Sequence, residues 1–368
     1  MTGVTVRFAD PAGAGLDPAR WARLPPLLHR LCGDAAAAVC AGTGDTAVVP
    51  VVSGRVAPGG PPATAGTRFL VASLTKPVVA TLALAAVERG ELSLGDRVAD
   101  HLPAFRTGKK RAVRLRHLLC HTSGLPDLLP DDLDLRRAGA PLRTFLDRAA
   151  ACDLLFEPGR AVAYSSLGFA VLWDVLSGGD PARGRDLLRD RVLAPLGMED
   201  ARLGGPAPPG EVIAKIRRPA RASTGERVDV WNDPSWPALG VPWGGLVCTA
   251  ADYARFLAAW ATGGGPVLSP VSVAAATGNA LEGMRHVPEA DRRCRPWGLG
   301  WRKSWPAHAA YFGDLLPASA VGHWGSTGCA AWCDPPSRRW AVILTTIPQD
   351  PGGEICARLS NVAAAAFR

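Results

Sequence analysis

Residues 69–98 read FLVASLTKPVVATLALAAVERGELSLGDRV. The apolar lead Phe69–Ala72 runs into Ser73-Leu74-Thr75-Lys76-Pro77. From there to Arg89 the residues are Val, Ala, Leu and Thr with one Glu, which predicts a buried helix. Pro77 falls in the first turn, where its missing N–H breaks no bond, and Gly90 stops the helix. Ser73 and Lys76 are three apart, so both side chains share one face. A serine hydroxyl is a weak nucleophile until a base takes its proton, and a lysine in a dry site can lose its own proton and do so. The helix start adds N–H groups and a positive dipole end that favour a developing oxyanion. Ser and Lys at this spacing also occur by chance. Here the apolar flanks and the scarcity of lysine elsewhere single the pair out.

That scarcity is a matter of composition. The chain of 368 residues has five lysines (76, 109, 110, 215, 303) against thirty-six arginines, and three tyrosines (164, 253, 311) against twelve tryptophans. Arginine cannot be deprotonated in a protein and lysine can, so a lysine kept among arginines marks a cation that must titrate. The length suits one domain with an insertion or two packed lobes. Hydrophobic residues at 48% and charged residues at 20% exclude general disorder. No apolar run reaches the roughly 18–20 residues of a membrane span. The N-terminus lacks the basic start and apolar centre of a secretory signal, so a cytoplasmic location is expected. Nine cysteines, an odd number, then argue for reduced, mostly buried thiols rather than disulfides. Cys329 and Cys333 have no second Cys/His pair at zinc spacing, and no H-E-x-x-H is present, so neither metal nor cofactor is expected. The net charge of +8 is scattered, and Lys109-Lys110-Arg111 and Arg217-Arg218 lack interleaved aromatics. A solvated basic surface is expected, with no nucleic-acid or membrane partner.

Working outward, 18–32 reads as a helix, and 36–40 and 46–52 as strands joined by the turn Gly42-Thr43-Gly44-Asp45. Helices are expected at 115–120, 141–151, 166–177, 184–194, 250–262 and 354–367. Short apolar runs at 297–302, 320–324, 329–334 and 340–347 suggest antiparallel strands. Strands at both ends with helices between predict an α/β domain from 1–90 plus 241–368, an antiparallel sheet flanked by helices. A mainly helical domain, 91–240, is inserted in it.

The quoted segment resembles the active-site region of serine β-lactamase-related enzymes, the group of class C β-lactamases, DD-peptidases, esterases and transacylases. Other blocks resemble that family in its order: LLCHTSGLPD (118–127), FEPGRAVAYSSLGFAVL (156–172), VLAPLGMED (192–200), PWGGLVCTAADYARF (242–256) and VGHWGSTGCAAWCDP (321–335). The resemblance implies a β-lactamase/transpeptidase-like fold and an acyl-enzyme on Ser73, with Lys76 and Tyr164 moving the proton. Tyr164-Ser165-Ser166 stands where the family has Tyr-x-Asn. Ser166 is shorter than Asn and lacks its carbonyl, which counts against recognition of a β-lactam or D-peptide amide. His323-Trp324-Gly325 stands where β-lactamases have Lys-Thr-Gly, and resembles the His-x-Gly of family esterases and aminopeptidases. By the resemblance, the N–H groups of Ser73 and Ser326 form the oxyanion hole, and Gly325 lets substrate lie close to the strand edge. His121 resembles a loop-orienting residue of its block. Among Trp231, Trp236, Trp243, Trp297, Trp301, Trp305 and Trp324, part is expected to wall the cleft, with Ser166, Trp231, Trp243 and Trp324 as substrate-binding candidates.

Two catalytic outcomes stay open. A hydrolase passes the acyl group from a small ester or amide donor to water. An acyltransferase passes it to an amine, alcohol or thiol, as in natural-product biosynthesis. A non-catalytic sensor is disfavoured because Ser, Lys and Tyr are all retained.

Overall fold

The computed structural model describes residues 6–218, 225–305, 311–349 and 354–368. Its larger sheet has eight strands: β1 (Arg7–Ala9), β2 (Ala37–Thr43), β3 (Thr46–Val48), β4 (Val51–Ser53), β8 (Arg302–Lys303), β9 (Val321–Gly325), β10 (Cys329–Asp334) and β11 (Arg339–Thr345). The order is β1-β3-β2-β11-β10-β9-β8, with β4 also paired to β2. β2 and β11 form its centre, seven residues long, from Thr43 opposite Arg339 to Ala37 opposite Thr345.

Both faces are covered, which is why these strands read as continuous apolar runs. Ala37, Val39 and Ala41 point to one side with Ala341 and Ile343. There they meet Leu24 and Leu28 of the Leu24–Cys32 helix, and Leu359 and Ala363 of the Glu354–Ala366 helix. Ala38 and Cys40 point to the other side with Val342 and Leu344, where Tyr253, Phe256, Leu257 and Trp260 of the Ala250–Ala261 helix pack. That helix begins on a reciprocal cap between Thr249 and Asp252. The expected β-lactamase/transpeptidase-like arrangement is therefore present.

The larger sheet and the helices and turns beside it depart from the reading in four places. The 18–32 segment is two helices, Pro18–Trp21 and Leu24–Cys32. Pro25 and Pro26 have no N–H for the carbonyls one turn back, so a continuous helix cannot form. The 46–52 run is likewise two strands. Pro50 parts them, and β3 and β4 pair with different ends of β2. The 297–302 run is mostly a turn: Gly298 N–H donates to the Trp301 carbonyl at 2.8 Å, and Gly300 has φ +83°. Finally, β1 runs parallel to β3, so the sheet is mixed rather than wholly antiparallel.

A second sheet of three short strands was not anticipated. β5 (Phe69–Leu70) and β6 (Arg202–Leu203) flank β7 (Leu246–Cys248). It carries the chain directly into the Ser73 turn and draws strands from three distant parts of the sequence. Between 91 and 240 the structure has helices at Leu115–Leu119, Leu142–Ala151, Ser166–Ser177 and Pro181–Leu188, besides short ones such as Asp132–Arg137. The π-turn Arg189–Leu193 replaces the last part of the expected 184–194 helix.

Seven cysteines are buried, Cys152 is half-buried, Cys294 is exposed, and none of the nine is in a disulfide. Burial pushes Cys120 and Cys329 up to about 11. Among the described residues no group of His, Cys, Asp and Glu is placed to hold a metal, and no helix is long and apolar enough to cross a membrane.

Trp340 on β11 is fully buried and donates its indole N–H to the Gly44 carbonyl at 2.9 Å. A side chain on Gly42 would come within 2.5 Å of this ring, so the indole is tightly enclosed. Trp340→Ala should therefore lower the unfolding free energy by about 3–5 kcal/mol. Urea denaturation followed by circular dichroism would show the midpoint fall.

Candidate active site

Ser73 lies in the single turn Ala72–Leu74 that opens the Thr75–Glu88 helix. Ala72 holds φ +46°, a left-handed conformation that costs a residue with a Cβ of order 1–3 kcal/mol unless the surroundings impose it. They do. The Thr75 hydroxyl donates to the Ala72 carbonyl at 2.6 Å and accepts from Leu246 N–H at 3.0 Å. Tyr253 donates to the Leu74 carbonyl at 2.9 Å, and Thr327 to the Leu70 carbonyl at 2.7 Å. Three side chains from three parts of the chain thus fix the strand end and turn that present Ser73.

Lys76 is fully buried one turn along. Its Nζ lies 2.9 Å from Ser73 Oγ and donates to the Trp243 carbonyl, also at 2.9 Å. Burial lowers its pKa to about 7, with Asp127 acting weakly the other way. Near neutral pH much of this lysine is an amine. Two N–H groups and one lone pair then allow it to hold Trp243 and still accept the Ser73 proton.

Tyr164 comes in from the loop before the Ser166–Ser177 helix, its ring centroid 4.7 Å from Lys76 Nζ. Its oxygen is buried and makes no full hydrogen bond. Burial and then the Asp127 carboxylate push the phenol well up, against a smaller opposing effect of nearby Ser73. Tyr164 is therefore a phenol, not a phenolate, at physiological pH.

The next two residues anchor it. Ser165 caps the helix, its Oγ accepting from Gly168 N–H and donating to the Pro126 carbonyl, each at 2.8 Å. Ser165 N–H donates to His121 Nδ1 at 3.1 Å, and Ser166 N–H to Asp127 Oδ1 at 2.9 Å. His121, at φ +58°, therefore ties two loops together, and Trp297 packs on it edge-on at 4.3 Å.

His323 is fully buried on β9. Burial first, then Lys76, lowers its pKa to about 3, so it is uncharged. Its Nδ1 accepts from Trp324 N–H at 2.9 Å. Trp324 is half-buried, stacks on Tyr164 at 6.0 Å and meets Tyr311 at 4.8 Å.

These elements enclose a cleft of about 160 Å³. Ser73, Tyr164, Ser166, Trp231, Trp243, Trp324 and Ser326 line it. Lys76, His323 and Gly325 stand behind that lining. Of the seven tryptophans considered, Trp236 also reaches the cleft, whereas Trp301 packs in the core against Phe256 and Trp260. Two charged lining residues were missed from sequence. Asp127 is exposed, and Arg136 pairs with Asp132 at 2.7 Å while lying 4.0 Å over the Trp236 ring. Asp127 closes the block 118–127, so its place beside Tyr164 could have been suspected. Nothing local to Arg136 signals the cleft.

The Beta-lactamase family model matches residues 33–365. The chain belongs to the serine β-lactamase-related family. It is 31% identical to penicillin-binding protein 4 of Amycolatopsis lactamdurans, over 72% of this chain and 68% of that one. It is 38% identical to esterase EstB of Burkholderia gladioli over 38% of this chain and 40% of that one. The fold superposes with a TM-score of 0.76 on EstCE1, described as a hydrolase with promiscuous acyltransferase activity, at 20% identity over 94% of this chain and 98% of that one. This member of the β-lactamase family is a serine hydrolase or acyltransferase.

Its third block has a constraint that the sequence reading placed elsewhere. A Cβ on Gly325 would lie 2.3 Å from the Val71 carbonyl oxygen. The glycine is demanded by the backbone just before Ser73, whatever the substrate requires. Gly325→Ala should therefore part β9 from the nucleophile turn, lowering stability by about 1–3 kcal/mol. Thermal melting would detect that loss, with a fall in acylation rate beside it.

Proposed function

We propose that the protein is an esterase- or amidase-type hydrolase that works through an acyl-enzyme on Ser73. The observation that carries this reading is Lys76 Nζ at 2.9 Å from Ser73 Oγ in a site that brings its pKa to about 7. In the first step Ser73 Oγ bonds to the carbonyl carbon of a small ester or amide while neutral Lys76 takes the hydroxyl proton. The N–H groups of Ser73 and Ser326 receive the oxyanion, a role supported by the close approach of β9 to the turn at Gly325 and Val71. The tetrahedral centre then collapses. Its bond to the leaving group breaks, and the Lys76 proton reaches that group through the Tyr164 hydroxyl. Water, activated by the same groups, releases the acid. Because Tyr164 stays protonated, it relays a proton and Lys76 is the base.

Classical β-lactamase activity is disfavoured by the site's charge. Neutral His323 replaces a permanent cation, and Ser166 replaces the Asn amide. Transfer to a bound amine or alcohol in place of water is the second reading, favoured by the indoles of Trp231, Trp236, Trp243 and Trp324 in the cleft lining. Such walls exclude water and can seat an apolar acceptor.

Intact-mass spectrometry with p-nitrophenyl esters tests the reading. Ser73 should gain the acyl mass and lose it in water, whereas Ser73→Ala should gain none. An adduct that clears only on adding an amine or thiol would make the protein an acyltransferase. The acylation rate of the wild type should rise with pH through about 7 and level off above, as the amine form of Lys76 fills. Lys76→Ala and Tyr164→Phe should each lower the rate by about 10²–10⁴-fold. The double variant should lose little more than either alone, since the two act as a unit. A Lys76→Ala variant with full rate would overturn the mechanism.

A further inference from the structure

The described cleft lining carries two charges of opposite sign, but its cation, Arg136, is already paired with Asp132. Of the cationic side chains near the nucleophile, Lys76 is buried behind Ser73, and Arg136 is committed to Asp132 and the Trp236 face. His323 is buried and uncharged. The Asp127 carboxylate is exposed on the lining, with Oδ1 accepting from Ser166 N–H. The rings of Trp231, Trp236, Trp243, Trp324 and Tyr164 share that lining. Aromatic faces carry negative potential and attract cations, most strongly when partly desolvated. Arg136 over Trp236 already shows one indole of the set used in this way.

We propose that the cleft selects substrates carrying an organic cation, an ammonium group beside the scissile ester or amide, held between Asp127 and the indole faces. This rests on the acyl-enzyme reading above and names its substrate class. Asp127 and the rings act as specificity determinants, while Ser73, Lys76 and Tyr164 act on the carbonyl. An anionic substrate meets Asp127 with no uncommitted cation on the described lining to offset it, opposite to the demand of a carboxylate-bearing β-lactam.

The test compares matched esters at a pH above 8, where Lys76 is an amine. On the acyl side these are the p-nitrophenyl esters of γ-trimethylammoniobutyrate, of its tert-butyl isostere and of glutarate. On the leaving-group side they are acetylthiocholine and its tert-butyl isostere. In at least one series kcat/KM for the cation should exceed that for the neutral isostere by about tenfold, and the glutarate ester should be slowest. The preference should shrink between about 20 mM and about 500 mM salt, because Asp127 is exposed to screening. Asp127→Asn should reduce the cation-to-neutral ratio severalfold, and Asp127→Glu should keep most of it. The neutral isostere in each variant normalises any change in Lys76 itself. Ser73-dependent turnover with equal rates for cation and isostere in both series, or a preference for glutarate, overturns this inference and leaves the hydrolase reading standing. No Ser73-dependent acylation by any of the esters overturns both.

Discussion

Keeping the Lys76 amine out of water is the constraint on which the rest of the site depends. A lysine in solution holds its proton to about 10.5, and burial brings this one to about 7. Between those values the unfolded chain carries a proton that the folded chain does not. By linkage this residue works against folding more strongly as pH falls through that window. The surroundings must offset that cost while leaving the lone pair aimed at Ser73. They do so with few groups, the Ser73 hydroxyl, the Trp243 carbonyl and the rings of Tyr164 and Phe169. Any looseness at the helix start would let water reach the amine and restore its ordinary basicity. The bracing of the turn by Thr75, Tyr253 and Thr327 is thus part of the acid–base chemistry.

The same dryness assigns the other titrating groups. It keeps Tyr164 protonated and His323 uncharged, so one buried base works among neutral donors. Burial penalises whichever form is charged: it lowers lysine and histidine and raises tyrosine. One environment therefore separates base from relay without a dedicated partner for each.

Much of this was legible in the chain because it is written locally. Ser73 and Lys76 share a helix face by spacing alone, and Tyr164 sits in a block whose order the family resemblance supplied. The tertiary contributions were not legible. Asp127 reaches the cleft because its loop packs on the start of the Ser166–Ser177 helix, and Arg136 because its short helix lies beside the Gly225–Asn232 helix and Trp236. Ser165 carried an N-cap signal, a serine directly before the expected 166–177 helix, but was read only as the middle residue of its motif. Gly325 was read for the substrate, yet the nearer demand comes from Val71, and backbone approach leaves no mark in a one-dimensional pattern. At Pro25, Pro26 and Pro50 the signal was present, but apolar periodicity was given more weight than a missing N–H. β1 is three residues of mostly exposed strand, with no pattern of its own to read.

The distribution of thiols has a separate consequence. Cys294 stands exposed at the end of its short helix, Cys152 is half-covered, and the other seven are sealed inside, six in the packed layers on the two sides of the sheet and Cys120 in a smaller cluster with Trp297. A thiol reagent therefore meets one readily reachable sulfur in the intact molecule and a reservoir of hidden ones once the layers separate. The chain carries its own internal clock for breathing. Each buried sulfur that becomes labelled dates an opening of the region around it, and the order of labelling maps which layer lets go first.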